Sequence, residues 1–139
     1  MKGRAVVSDW NEFTHNGKQL FKESEFLSRG IKPVIDLGFM RKLFKARVKA
    51  NVPFVITSGG RTIEHNKSVG GTANSDHLFG GNLLTVCGCD IAAPDSGTRY
   101  KIIKACMEAG LDRFKVYKGK KIIHVGLSLR NPGGMFMLD

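Results

Sequence analysis

Two histidines and one aspartate, each within a short polar or apolar stretch, place the strongest constraint on how this chain can fold. The stretches are Asn74-Ser-Asp-His77, Cys89-Asp90-Ile91 and Ile123-His124-Val125. Together His77, Asp90 and His124 can offer two imidazole nitrogens and a carboxylate to one zinc ion, and this set leaves a fourth tetrahedral position free for water or substrate. The pattern indicates a hydrolytic metal site and requires a fold that brings three separate segments together.

Length and charge restrict the remaining possibilities. The chain has 139 residues, of which 42% are hydrophobic, so we expect one domain spanning residues 1–139. Its formal charge of +10 is compatible with nucleic acid, with an anionic cell-wall polymer or with no specific partner. Because no recognised nucleic-acid-binding motif accompanies the scattered Lys and Arg residues, a nucleic-acid partner rests on charge alone.

No segment reads as a targeting or membrane sequence. The first ten residues begin with positive charge, but Ser8 and Asp9 interrupt the apolar stretch after three residues, so no signal peptide is predicted. Apolar runs elsewhere are far shorter than the ~20 residues of a membrane helix. We therefore expect synthesis in the cytoplasm, and action on a target outside the cell only after release or as part of a virion.

The pattern predicts helices alternating with strands. Four helices are expected: a short one beginning at Phe21, a longer one from Pro33 to about Asn51, one over 63–69 and one from Ser96 or Thr98 to Gly110. The apolar face of the second consists of Leu37, Met40, Phe44 and Val48, and that of the last consists of Ile102, Ile103, Cys106 and Met107. Strands are expected over 53–57 and 83–89, and a hairpin is expected to pair 114–117 with 121–127.

Three cysteines, an odd number, argue against a disulfide framework. In a regular strand Cys87 and Cys89 share one face with Ile91, whereas Asp90 lies on the other. Neither cysteine is therefore expected to join Asp90 on a metal, and both are read as small core residues, as is Cys106 on its helical stripe.

Each candidate ligand also has a simpler interpretation. His77 could be a surface histidine in a Gly- and Asn-rich loop, and His124 could be a structural residue of a strand. His124 shares a face with Gly126, which would leave room for an ion beside the imidazole. Asp90 is embedded in apolar sequence and needs a cation, because burying an unpaired charge costs several kcal/mol. Either a metal or Arg61 could supply that cation.

An ordered set of motifs resembles a known family, the zinc D-alanyl-D-alanine carboxypeptidases and their phage and bacterial relatives, which include L-alanyl-D-glutamate endopeptidases. The motifs are Ser58-Gly-Gly-Arg61-Thr62, Glu64-His65-Asn66, Val69-Gly70-Gly71, Asn74-Ser-Asp-His77, Gly88-Cys-Asp-Ile91 and His124-Val-Gly126. The resemblance extends upstream to the short helix predicted at Phe21 and covers most of the chain.

This resemblance implies a fold, a cofactor and a substrate. It implies a single α+β domain of the hedgehog and DD-peptidase type, with a small, mostly antiparallel sheet carrying Zn²⁺ on one face. It also implies that His77, Asp90 and His124 are the zinc ligands and that Arg61 binds a substrate carboxylate or stabilises the oxyanion. The implied function is that of a metallopeptidase, a carboxypeptidase or an endopeptidase, acting on peptidoglycan peptides in cell-wall lysis or remodelling.

The chain departs from the family pattern in several places. The interval between His77 and Asp90 is longer than usual, and an added hairpin over roughly 79–86 could absorb the extra residues. Gly60 replaces a common aromatic residue before Arg61. Gly126 replaces the aspartate that commonly follows His-Val in the family.

The general base is the main open question. In several branches of the family it is an acidic residue three positions before the final histidine, where this chain has Lys121. Glu64 is the acidic candidate by motif, although it could equally be a solvated or capping residue. The alternative function is therefore a non-catalytic relative that serves as a wall-binding or virion structural module.

Overall fold

Short strands between Ile56 and Leu138 form one five-stranded sheet, and a two-stranded ribbon precedes it in the chain. A computed structural model of the protein describes residues 4–81 and 84–139. Within these ranges the strands are β1 (Thr14–His15), β2 (Lys18–Gln19), β3 (Ile56–Ser58), β4 (Gly88–Ala92), β5 (Arg113–Tyr117), β6 (Ile122–Gly126) and β7 (Gly134–Leu138). The α-helices are α1 (Leu37–Ala50), α2 (Ile63–Ser68) and α3 (Ser96–Glu108), and short 3₁₀ segments cover Trp10–Phe13 and Glu23–Phe26.

The sheet has the strand order β3-β4-β6-β5-β7. All neighbours are antiparallel except β5 and β7, which run parallel. The predicted α+β domain with a small, mostly antiparallel sheet is thereby confirmed, and so is the hairpin of β5 and β6. Strand β7 was not predicted.

Alternation along β4 and β6 gives the sheet two different faces. One face is apolar, because Cys89 and Ile91 of β4 and Ile123 and Val125 of β6 are buried in the same core as the inner faces of α1 and α3. Side chains one position along a strand point to the opposite side. The other face of the sheet therefore carries Asp90 and His124.

Helix α1 begins later than predicted. The expected start at Pro33 is wrong, because residues just after it pair with another segment: Val86 N–H donates to the Val34 carbonyl at 2.8 Å. Asp36 then caps the helix by accepting from the Phe39 amide at 2.9 Å. The face that is fully buried also differs from the predicted one. It is formed by Phe39, Met40, Leu43 and Ala46.

Helix α3 follows the prediction more closely. It starts at Ser96, with the Asp95 carboxylate accepting from the Thr98 amide, and it is followed by Gly110 with φ +103°. Ile102 and Cys106 of the predicted stripe are fully buried, whereas Met107 is 55% exposed. The helix therefore faces the core along a narrower stripe than the sequence pattern indicates.

The remaining differences concern element boundaries. The helix predicted from Phe21 is a 3₁₀ segment, Glu23–Phe26, and the strand predicted over 53–57 is Ile56–Ser58. The strand predicted over 83–89 begins only at Gly88, and its residue Leu83 lies outside the described part of the chain. None of the described helices has the length and apolar character that a membrane crossing requires.

Candidate metal centre

Strands β4 and β6 place Asp90 and His124 opposite each other. The two residues are direct cross-strand partners, so their side chains rise from the same face of the sheet. Nδ1 of His124 lies 2.9 Å from Oδ1 of Asp90. Both residues are buried, at 2% and 8% exposure.

His77 reaches the same point from the loop that follows α2. The main chain holds this loop against Arg61, because the Arg61 amide donates to the His77 carbonyl at 2.7 Å and the Phe79 amide donates to the Arg61 carbonyl at 3.1 Å. The His77 ring donates from Nδ1 to the Gly59 carbonyl at 2.7 Å. Its Nε2 is left facing Oδ1 of Asp90 at 3.4 Å.

The three side chains form a donor set that suits a metal ion. One ligand atom from each of His77, Asp90 and His124 lies within 4.8 Å of the other two. Two imidazoles and a carboxylate are the ligands of many catalytic zinc sites. The outer nitrogen of each ring is already bonded, to the Gly59 carbonyl or to a carboxylate, and this arrangement orients a metal-binding histidine. The residues therefore fit the ion that the family resemblance implies.

Asp76 is a site residue that sequence reasoning missed. Its Oδ2 accepts from Nε2 of His124 at 2.7 Å and from Nε of Arg113 at 2.7 Å. Its Oδ1 accepts from Nδ2 of Asn131 at 2.9 Å, and the residue is only 2% exposed. The only signal in the sequence was a carboxylate directly before His77, in a loop where a solvated residue would look the same.

The electrostatics of the cluster follow from these contacts. Burial alone would raise the pKa of Asp90 and of Asp76, but hydrogen bonds from His124 and its neighbours outweigh burial and hold both pKa values well below the usual range. Burial would likewise lower the pKa of His124, yet its hydrogen bonds to the two carboxylates raise it. Both carboxylates are therefore ionised at neutral pH.

Arg61 lies beside the cluster, but it is not the partner of Asp90. Its guanidinium donates to Oγ of Ser58 at 3.1 Å and to Oδ1 of Asn66 at 3.4 Å. Among the described residues, Asp90 pairs with His77 and His124. The alternative in which Arg61 neutralises Asp90 is therefore wrong.

Glu64 and Lys121 are both on the surface. Glu64 lies in the first turn of α2, which is capped by Thr62, and no hydrogen bond or ion pair of its side chain occurs among the described residues. Lys121 is exposed just before β6. The sequence motif, not a contact in the structure, therefore remains the reason to consider Glu64 as a base.

The expected open space beside Gly126 is filled. A Cβ placed there would lie 2.8 Å from the Cys87 carbonyl oxygen and 3.2 Å from Oδ2 of Asp76. Glycine at this position accommodates the Cys87 main chain and the Asp76 carboxylate. The prediction that this glycine leaves room for an ion is therefore wrong.

The three cysteines agree with the prediction from strand alternation except for the surroundings of Cys87. All three are free and buried, and Cys89 and Cys106 belong to the core as predicted. Sγ of Cys87, however, lies 3.9 Å from Oδ1 of Asp76. The reason is that the chain is irregular before β4, where the Cys87 amide bonds to the Asp76 carbonyl. Burial raises the pKa of Cys87 to about 12, so its thiol is neutral.

The longer interval before Asp90 forms a small turn where it is described. Gly80 and Leu84 exchange backbone hydrogen bonds at 3.1 and 3.2 Å, in the manner of a hairpin. Asn82 and Leu83, at the centre of the predicted insertion over 79–86, lie outside the described residues. Asp90 keeps its position opposite His124 despite the added length.

The fold and the cluster together define a class of protein, namely small α+β domains with a buried His–Asp–His site. The family whose sequence model matches is described as Peptidase M15, and the match covers residues 11–126. The chain therefore belongs to the Peptidase M15 family, whose members are peptidases and are typically metal-dependent, and the resemblance described above is confirmed. Comparisons with curated proteins and with solved structures returned no match.

Proposed function

We propose that this protein is a zinc-dependent peptidase that hydrolyses an amide bond in peptidoglycan peptides. The observation that carries the proposal is the buried cluster of His77, Asp90 and His124, whose ligand atoms lie within 4.8 Å of one another. Membership of the Peptidase M15 family supports the hydrolytic activity. The cell-wall substrate rests on the family resemblance of the motifs around these residues.

The donor set favours zinc over harder cations. Two imidazole nitrogens and one carboxylate suit Zn²⁺, whereas Mg²⁺ and Ca²⁺ prefer sites made of oxygen alone. When bound, the ion would supply Lewis-acid polarisation of the scissile carbonyl and a more acidic water molecule. His77 and His124 would hold it through the nitrogens that face Asp90.

Arg61 is proposed to bind the negative charge of the substrate. Two of its donors are used by Ser58 and Asn66, so the rest of its five N–H groups can reach a carboxylate or a developing oxyanion. Its main chain is hydrogen-bonded to the main chains of His77 and Phe79, which links its position to that of a proposed ligand.

Glu64 is proposed as the acid–base residue. A hydrolysis of this type needs a carboxylate that removes a proton from water and passes it to the leaving amine. Glu64 is exposed in the first turn of α2, and its place in the family motif supports this role. Asp76 is unsuited to this task, because donors from His124, Arg113 and Asn131 occupy both of its oxygens.

A second function is favoured by two departures from the family pattern. The position three residues before His124 holds an exposed lysine, and the carboxylate common after His-Val is replaced by Gly126. A protein that keeps the fold and the ion but binds cell-wall peptides without cutting them would show these features. In either case we propose that the partner is peptidoglycan, reached after release or in a virion.

The first test combines metal content with turnover. Protein prepared without chelators should contain about one zinc per chain and should release peptides from purified peptidoglycan. His124→Ala should lose the metal and the activity, because it removes one of three protein ligands. His15→Ala is the matched control, since His15 is exposed on β1. Wild-type protein without metal and without turnover would contradict the proposal.

Substitutions of the two proposed catalytic residues separate the two functions. In an active enzyme, Arg61→Lys and Glu64→Gln should each lower turnover by about a hundredfold while zinc is retained. Glu108→Gln, an exposed site on α3, should have no effect. A zinc-loaded wild type that binds peptidoglycan and never cuts it would support the non-catalytic alternative. Mass spectrometry of the released fragments would identify the bond that is cut.

A further inference from the structure

We infer that Asp76 is a positioning residue, which holds the imidazole of His124 in the orientation needed to bind the metal ion. This role rests on the proposed function, because it concerns the same site. Asp76 contacts His124 only at Nε2, whereas Nδ1 faces Asp90 and the rest of the cluster. A carboxylate bonded to the outer nitrogen fixes the ring, so that the inner nitrogen, which faces Asp90, is the one turned toward the other ligand atoms.

The carboxylate of Asp76 is itself held firmly. Nε of Arg113 lies 2.7 Å from the same oxygen that bonds His124, and Nδ2 of Asn131 lies 2.9 Å from the other. Arg113 also donates from Nη1 to the Pro132 carbonyl at 2.7 Å, and its guanidinium lies 5.3 Å from the ring centre of Phe136. Asp76 therefore has little freedom to turn away from His124.

The sheet is shaped to admit this contact. Gly88 of β4 and Gly126 of β6 are direct cross-strand partners. A Cβ at Gly88 would lie 2.7 Å from Cβ of Asp76 and 2.8 Å from Nε2 of His124. A side chain at position 88 would thus occupy the space where Asp76 and His124 meet.

Two features separate this role from a general structural ion pair. Arg113 already supplies a positive partner for Asp76, so neutralising the buried carboxylate does not require His124. His77, the other histidine of the cluster, also has an acceptor on its outer nitrogen, the Gly59 carbonyl. Both rings are thus oriented in the same way, one by the main chain and one by Asp76.

The test measures the affinity of the metal-free protein for Co²⁺, using the visible absorption of the bound ion. Asp76→Asn keeps the shape of the side chain but removes its charge, and it should weaken binding by about 10- to 100-fold. The matched control is Asp36→Asn, which removes another buried carboxylate that contacts Arg4 and the start of α1. It should leave Co²⁺ affinity unchanged.

A second readout follows His124 directly. In the metal-free wild type, the Nε2 proton should give a slowly exchanging, strongly downfield NMR signal, because a buried carboxylate accepts it. In Asp76→Asn that signal should move upfield and exchange faster, because a neutral amide oxygen is a weaker acceptor than a carboxylate. Thermal unfolding in chelator shows whether this variant is folded, and Asn131→Ala, which removes only one donor to Asp76, provides a milder change in the same direction.

The outcomes separate the two proposals. A wild type that binds Co²⁺ and an Asp76→Asn variant that binds it equally well would overturn the role of Asp76 and leave the proposed function standing. A wild type that binds no Co²⁺ although its His124 signal shows the predicted bond would overturn the metal-dependent function, and the positioning role with it.

Discussion

At the scale of single residues, the pair Gly88 and Gly126 decides how closely β4, β6 and the His77 loop approach one another. Neither glycine is needed for an unusual backbone angle, since neither has a positive φ. Each glycine is needed because a larger side chain would clash with neighbouring atoms. At Gly126 the nearest atom to an added Cβ is a main-chain oxygen, the Cys87 carbonyl at 2.8 Å, which cannot move aside as a side chain could.

We therefore predict that Gly126→Ala destabilises the protein by about 1–3 kcal/mol, the usual cost of overpacking a closely packed site. Gly119→Ala is the control, because a Cβ there meets nothing within 4 Å. The free energy of unfolding in urea, measured on metal-free protein, is the appropriate quantity. Equal stability of the two variants would show that the Cys87 main chain adjusts without cost.

The residues of the site could be predicted from sequence in part. His77, Asp90 and His124 each have a simpler interpretation when taken alone, and they were predictable as a group because the three occur together within an ordered set of family motifs. Asp76 was not, because its role depends on contacts with His124, Arg113 and Asn131, which lie far along the chain. The alternation of side chains along a strand also gave no information on Asp76, since this residue lies in a loop.

At the scale of elements, the start of α1 depends on Asp36. Its carboxylate accepts from the Phe39 amide and also pairs with Arg4 at 2.6 Å. Arg4 is 54% exposed, so solvent weakens this ion pair and the cap is the larger contribution.

We expect Asp36→Ala to lower the free energy of unfolding by about 2 kcal/mol, near the upper end of the range for lost helix caps. Asp36→Asn should cost less than half of that, because asparagine caps helices as well as aspartate does. Urea titrations followed by circular dichroism measure both values. If the two variants were equally destabilised, the charge of Asp36 would matter more than its cap.

The elements with strong local signals were predictable. The hairpin of β5 and β6 and the helix α3 carry apolar residues at the right period, bounded by Gly119 and Gly110. Strand β7 has no such pattern, because Met135 to Leu138 are all apolar and do not alternate with polar residues. Met135 and Met137, on one of its faces, are 48% and 72% exposed. It becomes a strand by pairing in parallel with β5. The start of α1 was missed for a related reason, since pairing with Val86 keeps residues 34–35 extended.

At the scale of the whole molecule, the last segment of the chain is hydrogen-bonded to Asp112, just before β5, and its strand β7 pairs with β5. The connection over 127–133 passes the beginning of β5, where Asp112 accepts from the Ser128 amide at 2.9 Å and its carbonyl accepts from the Gly134 amide at 2.8 Å. This path brings Pro132 and Phe136 to Arg113, which in turn holds Asp76.

The net charge of +10 also acts at this scale. If peptidoglycan is the substrate, the anionic polymers of intact walls should attract the protein, and salt should screen this attraction. Raising salt from about 0.05 M to about 0.5 M should therefore release the protein from isolated walls. Hydrolysis of a short, uncharged wall peptide serves as the control and should change little. Wall retention that does not respond to salt would contradict an electrostatic contribution.

The two histidines of the metal centre differ in whether mutation can remove the hydrogen-bond acceptor that orients the ring. The acceptor behind His77 is a main-chain carbonyl, which every residue type would supply, and Gly59 itself has no room for a side chain because a Cβ would lie 2.6 Å from Cα of Phe26. The acceptor behind His124 is the side chain of Asp76. Laboratory evolution toward tighter or looser metal retention should therefore accumulate changes at position 76 and at its donors Arg113 and Asn131, while the segment behind His77 stays as it is.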